Sequence, residues 1–241
     1  MIPIPRSLQR SPDMTDTMEY AAEAADPQLL SPGEGARVLA DAPWKRLAVL
    51  GDSGAEGVTE AYEGYRHLPW AERFIQEMRT VQPDLEVLKL GLRNLFAAQV
   101  RETQLAPALE FRPDLAVVFC GGNDMLQRHF DVDAVESELS LIITPLRESG
   151  CTVVTSGLFD ITVSPYVDER YRKPMSERIA AWSERTKQVA ERLGAVHVDL
   201  PRHPAGNEEI FSTDGLHLNA RGQAILCTEI VRSLGQHLRS R

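Results

Sequence analysis

The chain has 241 residues, with 26 Lys+Arg against 35 Asp+Glu and a formal charge of −9 at neutral pH. That charge repels phosphate backbones and anionic lipid, which argues against nucleic-acid and membrane-surface partners. Hydrophobic residues make up 43% and charged residues 25%, a globular rather than a disordered composition, and the length suffices to bury a substantial core.

Residues 1–43 stand apart from the rest. They hold Pro3, Pro5, Pro12, Pro27 and Pro32 and are mostly acidic from Asp13 to Asp41. They read as an N-terminal arm, disordered over its first dozen residues, with one short helix within Thr15–Ala25. Residues 29–44 carry enough apolar side chains to pack onto the domain that follows, residues 44–241. The N-terminus lacks an apolar signal-type run, and no later stretch is long enough to span a bilayer. The expectation is therefore a cytoplasmic protein. Cys120, Cys151 and Cys227 are odd in number and widely spaced, with no C-x-x-C pair. They predict reduced, mostly buried thiols and no metal site.

After Trp44, apolar runs alternate with helical periodicity. Arg46–Leu50, Leu85–Leu90, Leu115–Phe119, Thr152–Thr155 and Val196–Leu200 read as short buried strands. Trp70–Thr80, Leu95–Leu109, Val132–Ser149, Ser176–Leu193 and Ala220–Leu238 have helical spacing, with Pro145 late in the third and Gly194 capping the fourth. Residues 156–174 are too long for an ordinary connection; they read either as a lining or lid for a pocket or as a plain surface loop. Strands alternating with helices predict a parallel sheet covered on both faces. Ligands of such sheets bind beyond the carboxyl ends of the strands.

The residues that follow the strands carry complementary chemistry. Gly51-Asp52-Ser53 follows the first run, Gly91 the second and Gly122-Asn123-Asp124 the third; Asp214-Gly215-Leu216-His217 comes after the fifth. A serine hydroxyl becomes a useful nucleophile only when a neighbouring base takes its proton. His217 can be that base for Ser53, and Asp214, three residues before it, can fix its tautomer and stabilise its charged form. The Ser53 and Gly91 N–H groups and the Asn123 side-chain amide can supply an oxyanion hole. His197 is a rival base, but it alternates within the last strand, where packing explains it. Asp52 and Asp124 read as fixing the turns that carry Ser53 and Asn123.

This set resembles the SGNH hydrolases, also called the GDSL esterase/lipase family, and most of all their intracellular actinobacterial branch. The matching blocks are 48-AVLGDSGAEG-57, 88-LKLGLRN-94, 120-CGGNDML-126 and 214-DGLHLNARG-222. The resemblance implies a three-layer α/β/α flavodoxin-like sandwich on a five-stranded parallel sheet. It also implies metal-free, cofactor-free cleavage of small acyl esters through an acyl-enzyme. Two positions depart from the family pattern: Lys89 stands where the second block has Asn, and Gly54 where a bulky apolar residue follows the nucleophile. An acyltransferase or thioesterase acting on a small metabolite would use the same residues. A non-catalytic binding protein on this fold is the third reading. Acyl chain, alcohol and oligomeric state are not legible.

Overall fold

Two-residue periodicity in the apolar runs sends alternate side chains to opposite faces of a sheet. In the computed structural model, which describes residues 20–240, β1 (Arg46–Gly51) puts Leu47 and Val49 into one core and Ala48 and Leu50 into another. β3 (Leu115–Phe119) does the same with Leu115, Val117 and Phe119 against Ala116 and Val118. With β2 (Glu86–Lys89), β4 (Thr152–Ser156) and β5 (Val196–Val198) they form a five-stranded sheet in the order β2-β1-β3-β4-β5. Every pairing is parallel, and Leu47 sits opposite Leu115 and Gly51 opposite Phe119. This is the expected three-layer flavodoxin-like sandwich. The order reverses between β1 and β3, which is where such sheets bind ligands.

Helices α1 (Ala21–Ala25) and α2 (Glu34–Val38) precede the sheet. The one-turn helix α3 (Ser53–Glu56) follows β1 directly, and α4 (Trp70–Val81) comes next. Beyond it lie α5 (Ala97–Phe111), the one-turn α6 (Gly122–Met125), α7 (Val132–Glu148), α8 (Glu169–Leu193) and α9 (Ala220–Arg239). Trp70, Phe74 and Met78 of α4 and Ile225, Ile230 and Leu234 of α9 fill the core on one face of the sheet. Val100 of α5, Leu139, Ile142 and Ile143 of α7, and Trp182 and Val189 of α8 fill the other. Trp182 is thus a core residue, 1% exposed.

The predicted helix from Ser176 begins about two turns earlier, at Glu169, and runs through Pro174. Asp168 caps it by accepting from the Arg170 N–H. Its first turns lie outside the core, with Glu169, Arg170, Tyr171 and Lys173 all exposed. No apolar stripe marks them in the sequence. The long connection correspondingly shrinks to residues 157–168, which include a 3-10 turn at Ile161–Val163.

The described part of the arm is tied into the fold. Leu39 is fully buried, as is Trp44 where the domain begins, and Trp44 Nε1 donates to Thr152 Oγ1 at 3.1 Å. Asp26 accepts from Tyr65 Oη at 2.7 Å and from Arg221 Nε at 2.8 Å, while Glu23 pairs with the buried Arg73 at 2.7 Å. The disorder expected of the first dozen residues, and most of the helix expected in Thr15–Ala25, lie outside the described residues. Cys120, Cys151 and Cys227 are free thiols, and burial pushes the latter two up to about 12. Among the described residues no helix is long and apolar enough to cross a membrane.

Candidate active site

The carboxyl end of β1 carries Ser53. Asp52 makes the turn into α3, its carboxylate accepting from the Gly54 N–H at 3.0 Å, and its own N–H donates to the Phe119 carbonyl at 3.0 Å. The Asp52 carboxyl is raised to about 6, chiefly by burial and further by Asp124, against the pull of the Gly54 N–H. Its carboxylate also lies close to Gly122, at the start of the loop that carries Asn123, and the Gly122 N–H adds a small lowering influence. Trp70 Nε1 donates to the Gly54 carbonyl at 2.7 Å and closes the turn from the other side.

Gly51 shows why the turn begins with glycine. Its φ is +140°, and a Cβ there would lie 1.8 Å from the Phe119 carbonyl oxygen. Because β2 ends at Lys89, Gly51 has no strand neighbour for its N–H on that side. Gln104 of α5, 3% exposed, takes that neighbour's place. Its Oε1 accepts from the Gly51 N–H at 2.7 Å and its Nε2 donates to the Gly51 carbonyl at 2.9 Å. The same carbonyl accepts from the Leu92 N–H at 3.1 Å, which ties the Gly91 loop to the nucleophile turn.

Gly91 itself backs onto α3. A Cβ there would lie 2.5 Å from the Glu56 nitrogen and 2.6 Å from the Ala55 carbonyl carbon. The glycine is required by this packing behind Ser53, rather than by an approach to substrate, and Gly91 is not among the residues lining the cavity described below. Lys89 pairs with Glu72 of α4 at the surface, so the departure from the family pattern at this position leaves the cavity untouched. Asn123 opens α6 after β3. Its side-chain amide donates to the Leu95 carbonyl at 2.9 Å, and Asp124 accepts from the Ala97 N–H at 2.9 Å. Both anchor the loop to the start of α5.

Asp214 and His217 sit on a closed hairpin. The Ser212 N–H donates to the His217 carbonyl at 2.8 Å, and Phe211 bridges Leu218. Asp214 Oδ1 accepts from the Leu216 and His217 N–H groups, both at 2.9 Å, and Oδ2 lies 2.6 Å from His217 Nδ1. Burial would raise the Asp214 carboxyl, but the His217 ring and these two N–H groups outweigh it and hold it below its usual range. An ionised Asp214 makes Nδ1 the protonated nitrogen and leaves Nε2 as an acceptor. Nε2 is buried and has no hydrogen-bond partner.

Ser53, Asn123 and His217 line one cavity of about 150 Å³, together with Gly54 and a mainly apolar wall. His197 lies elsewhere: its Nδ1 is 3.2 Å from Thr155 Oγ1 within the sheet, and burial lowers it to about 4. It is a neutral packing residue, as its alternation suggested. Ser156, Leu158, Phe159 and Ile161 line the cavity, so the start of the long connection is wall, whereas Tyr166 and Tyr171 are exposed.

Three positioning residues escaped the sequence reading. Gln104 is one. Gln223 of α9 lines the cavity and spans both halves of the site: its Oε1 accepts from the Trp70 N–H at 3.0 Å, and its Nε2 donates to the carbonyls of Val58 at 3.0 Å and Leu218 at 3.5 Å. Glu60 holds the hairpin, accepting from the Thr213 N–H at 2.6 Å and hydroxyl at 2.9 Å. One sequence signal pointed to Gln104. It interrupts the buried stripe Ala97, Val100, Gln104, Ala108, and a polar residue on a buried stripe implies a dedicated partner. Glu60 lies 153 residues from Thr213 and had no local signal.

Gln104→Leu leaves both polar groups of Gly51 short of a buried partner. It is expected to cost about 2 kcal/mol of stability and, by loosening the turn, about tenfold in kcat with KM little changed. Urea unfolding and steady-state kinetics measure the two effects; an unchanged kcat in a destabilised variant would leave Gln104 a structural role only.

Sheet order, layers and the meeting of a serine, an asparagine and a histidine beside the switch point define an SGNH-type α/β/α hydrolase. The chain belongs to the GDSL-like lipase/acylhydrolase family, whose sequence model matches residues 49–225, and it is accordingly a carboxylic-ester hydrolase. Solved structures of similar fold include an acetyl xylan esterase from Geobacillus stearothermophilus, at 18% identity and a TM-score of 0.63, covering 79% of this chain and 94% of that one. An α/β hydrolase enzyme from the metagenome of Lake Arreo, Spain, matches at 15% identity and a TM-score of 0.64, covering 79% and 95%. No curated protein sequence matches the chain.

Proposed function

We propose that the protein hydrolyses small acyl esters with Ser53 as nucleophile, His217 as general base and Asp214 as the group that orients His217. Ser53 Oγ attacks the acyl carbonyl while His217 Nε2 takes its proton. The same nitrogen then returns the proton to the departing alcohol. A water activated by His217 releases the acid from the acyl-enzyme. The oxyanion is assigned to the Ser53 N–H and the side-chain amide of Asn123, both from residues lining the cavity, while Gly91 supports the nucleophile turn from behind rather than supplying the third donor its place in the sequence suggested.

The observation that carries this reading is the unpartnered, buried His217 Nε2 in the wall it shares with Ser53, its Nδ1 held 2.6 Å from Asp214. Hydrogen bonds between nucleophile and base often tighten only once substrate is bound. The acetyl xylan esterase supports the reading too. Its described catalytic mutants replace a serine, an aspartate and a histidine, the last two separated as Asp214 and His217 are.

The test combines labelling with product analysis. A fluorophosphonate is expected to modify Ser53 alone, and short p-nitrophenyl esters to yield free acid in step with nitrophenol. Acyl groups found mainly on added alcohols or thiols would make the protein a transferase instead. An unlabelled Ser53 with no ester turnover would sink the proposal.

A further inference from the structure

We infer that the cavity beside Ser53 accepts an unsubstituted acyl chain of about six carbons, so that the protein prefers medium-chain esters to acetyl esters. The inference rests on the hydrolase reading of this site and adds the acyl class to it.

The size of the cavity comes first. It measures about 150 Å³. A cavity of roughly that volume lined by Leu, Ile and Phe holds a benzene molecule, six carbons in all. An acetyl group would leave most of the space without contacts. The composition of the wall comes second. Val118 of β3, Leu139 of α7, Ile179 of α8, Phe159 of the connection, Leu200 after β5 and Leu226 of α9 all face it, and each is at most 5% exposed. Gly54 adds no side chain beside the nucleophile, although a Cβ there would meet nothing closer than 3.4 Å. Two of the polar side chains in the wall, Gln223 and Thr186, are already committed to carbonyls of Val58, Leu218 and Trp182, and Ser156 at the end of β4 adds one hydroxyl. Gln223 and Thr186 offer no unmet partner to a hydroxylated chain.

The direction of the ester comes third. The leaving oxygen must face His217 Nε2, which protonates it. His217 stands on a surface hairpin, its side chain 21% and that of Asp214 48% exposed, with Nε2 turned inward. The alcohol therefore lies toward the rim, and the acyl group, bonded to Ser53, is directed into the apolar interior.

The experiment is a chain-length series of p-nitrophenyl esters from acetyl to dodecanoyl, alongside acetyl esters of alcohols of increasing length. On the acyl side kcat/KM is expected to rise about three- to fourfold per methylene up to hexanoyl, and to fall beyond octanoyl. Ile179→Phe and Leu139→Phe, made separately so that one failing to fold is not decisive, are each expected to lower the hexanoyl-to-acetyl ratio about tenfold. That ratio does not depend on the fraction of protein folded. A flat or acetyl-preferring series with Ser53 still labelled by fluorophosphonate overturns the chain inference and leaves the hydrolase standing. Selectivity for alcohol length alone places the alcohol in the cavity and overturns it as well, as does an unchanged ratio in both variants. No turnover of any ester with Ser53 unlabelled overturns the hydrolase reading itself.

Discussion

Ser53→Ala is expected to lower kcat on short aryl esters by about a millionfold and to abolish fluorophosphonate labelling, with the fold intact. The size of the loss follows from the route. Without a hydroxyl there is no acyl-enzyme, and only oxyanion stabilisation and binding remain, worth roughly 10³–10⁴ over water. The fold should survive because the turn is held by other groups. Asp52 accepts from Gly54, Gln104 bonds both the N–H and the carbonyl of Gly51, Trp70 Nε1 holds the Gly54 carbonyl, and Ser53 contributes its backbone carbonyl to Gly57 and Val58. Each of these persists in alanine. The urea midpoint should therefore match the parent within the equivalent of about 0.5 kcal/mol. A variant that merely halves the rate would point to a different nucleophile.

The architecture was legible because the sheet is buried on both faces. Leu115–Phe119 is an uninterrupted apolar run for that reason, and its predicted ends coincide with β3. The candidate site was legible where chemistry is local in sequence. Asp214 and His217 are three apart, and one tight turn both joins them and fixes the carboxylate through the Leu216 and His217 N–H groups. What stayed hidden is what assembles the site across the chain. Glu60, Gln104 and Gln223 are polar residues that mainly bond backbone groups far away in sequence, and backbone groups carry no residue identity to read. Gly91 was legible as a glycine but not for its reason. The constraint comes from Ala55 and Glu56 packed behind it, a contact that exists only once α3 and the loop after β2 are placed. The early start of α8 was hidden for the opposite cause: its first turns bury nothing, so they leave no hydrophobic period.

Asp214→Asn is expected to lower kcat by about 10⁴, and His217→Ala by about 10⁶. The asparagine is the more informative of the two. Its Oδ1 can still accept from the Leu216 and His217 N–H groups, so the turn keeps its shape. Its amide nitrogen then faces His217 Nδ1 and donates to it, where the carboxylate had accepted. The imidazole must move its proton to Nε2, the nitrogen assigned to take the Ser53 proton, and it loses the ability to act as base. A large loss of rate without loss of stability thus separates orientation of the base from structural support. The same geometry sets the sign of the pH dependence. Asp214 is held ionised, its carboxyl kept below the usual range by the His217 ring and the two N–H groups against the opposing effect of burial. Its contribution is present above its unfolded pKa and is lost only as the pH falls through the lowered folded value. The general base must be unprotonated to take the Ser53 proton, so kcat/KM of the parent enzyme is expected to fall on the acid side, by about tenfold per pH unit. A profile flat on the acid side, or an Asp214→Asn enzyme within tenfold of the parent, would take the base role away from His217.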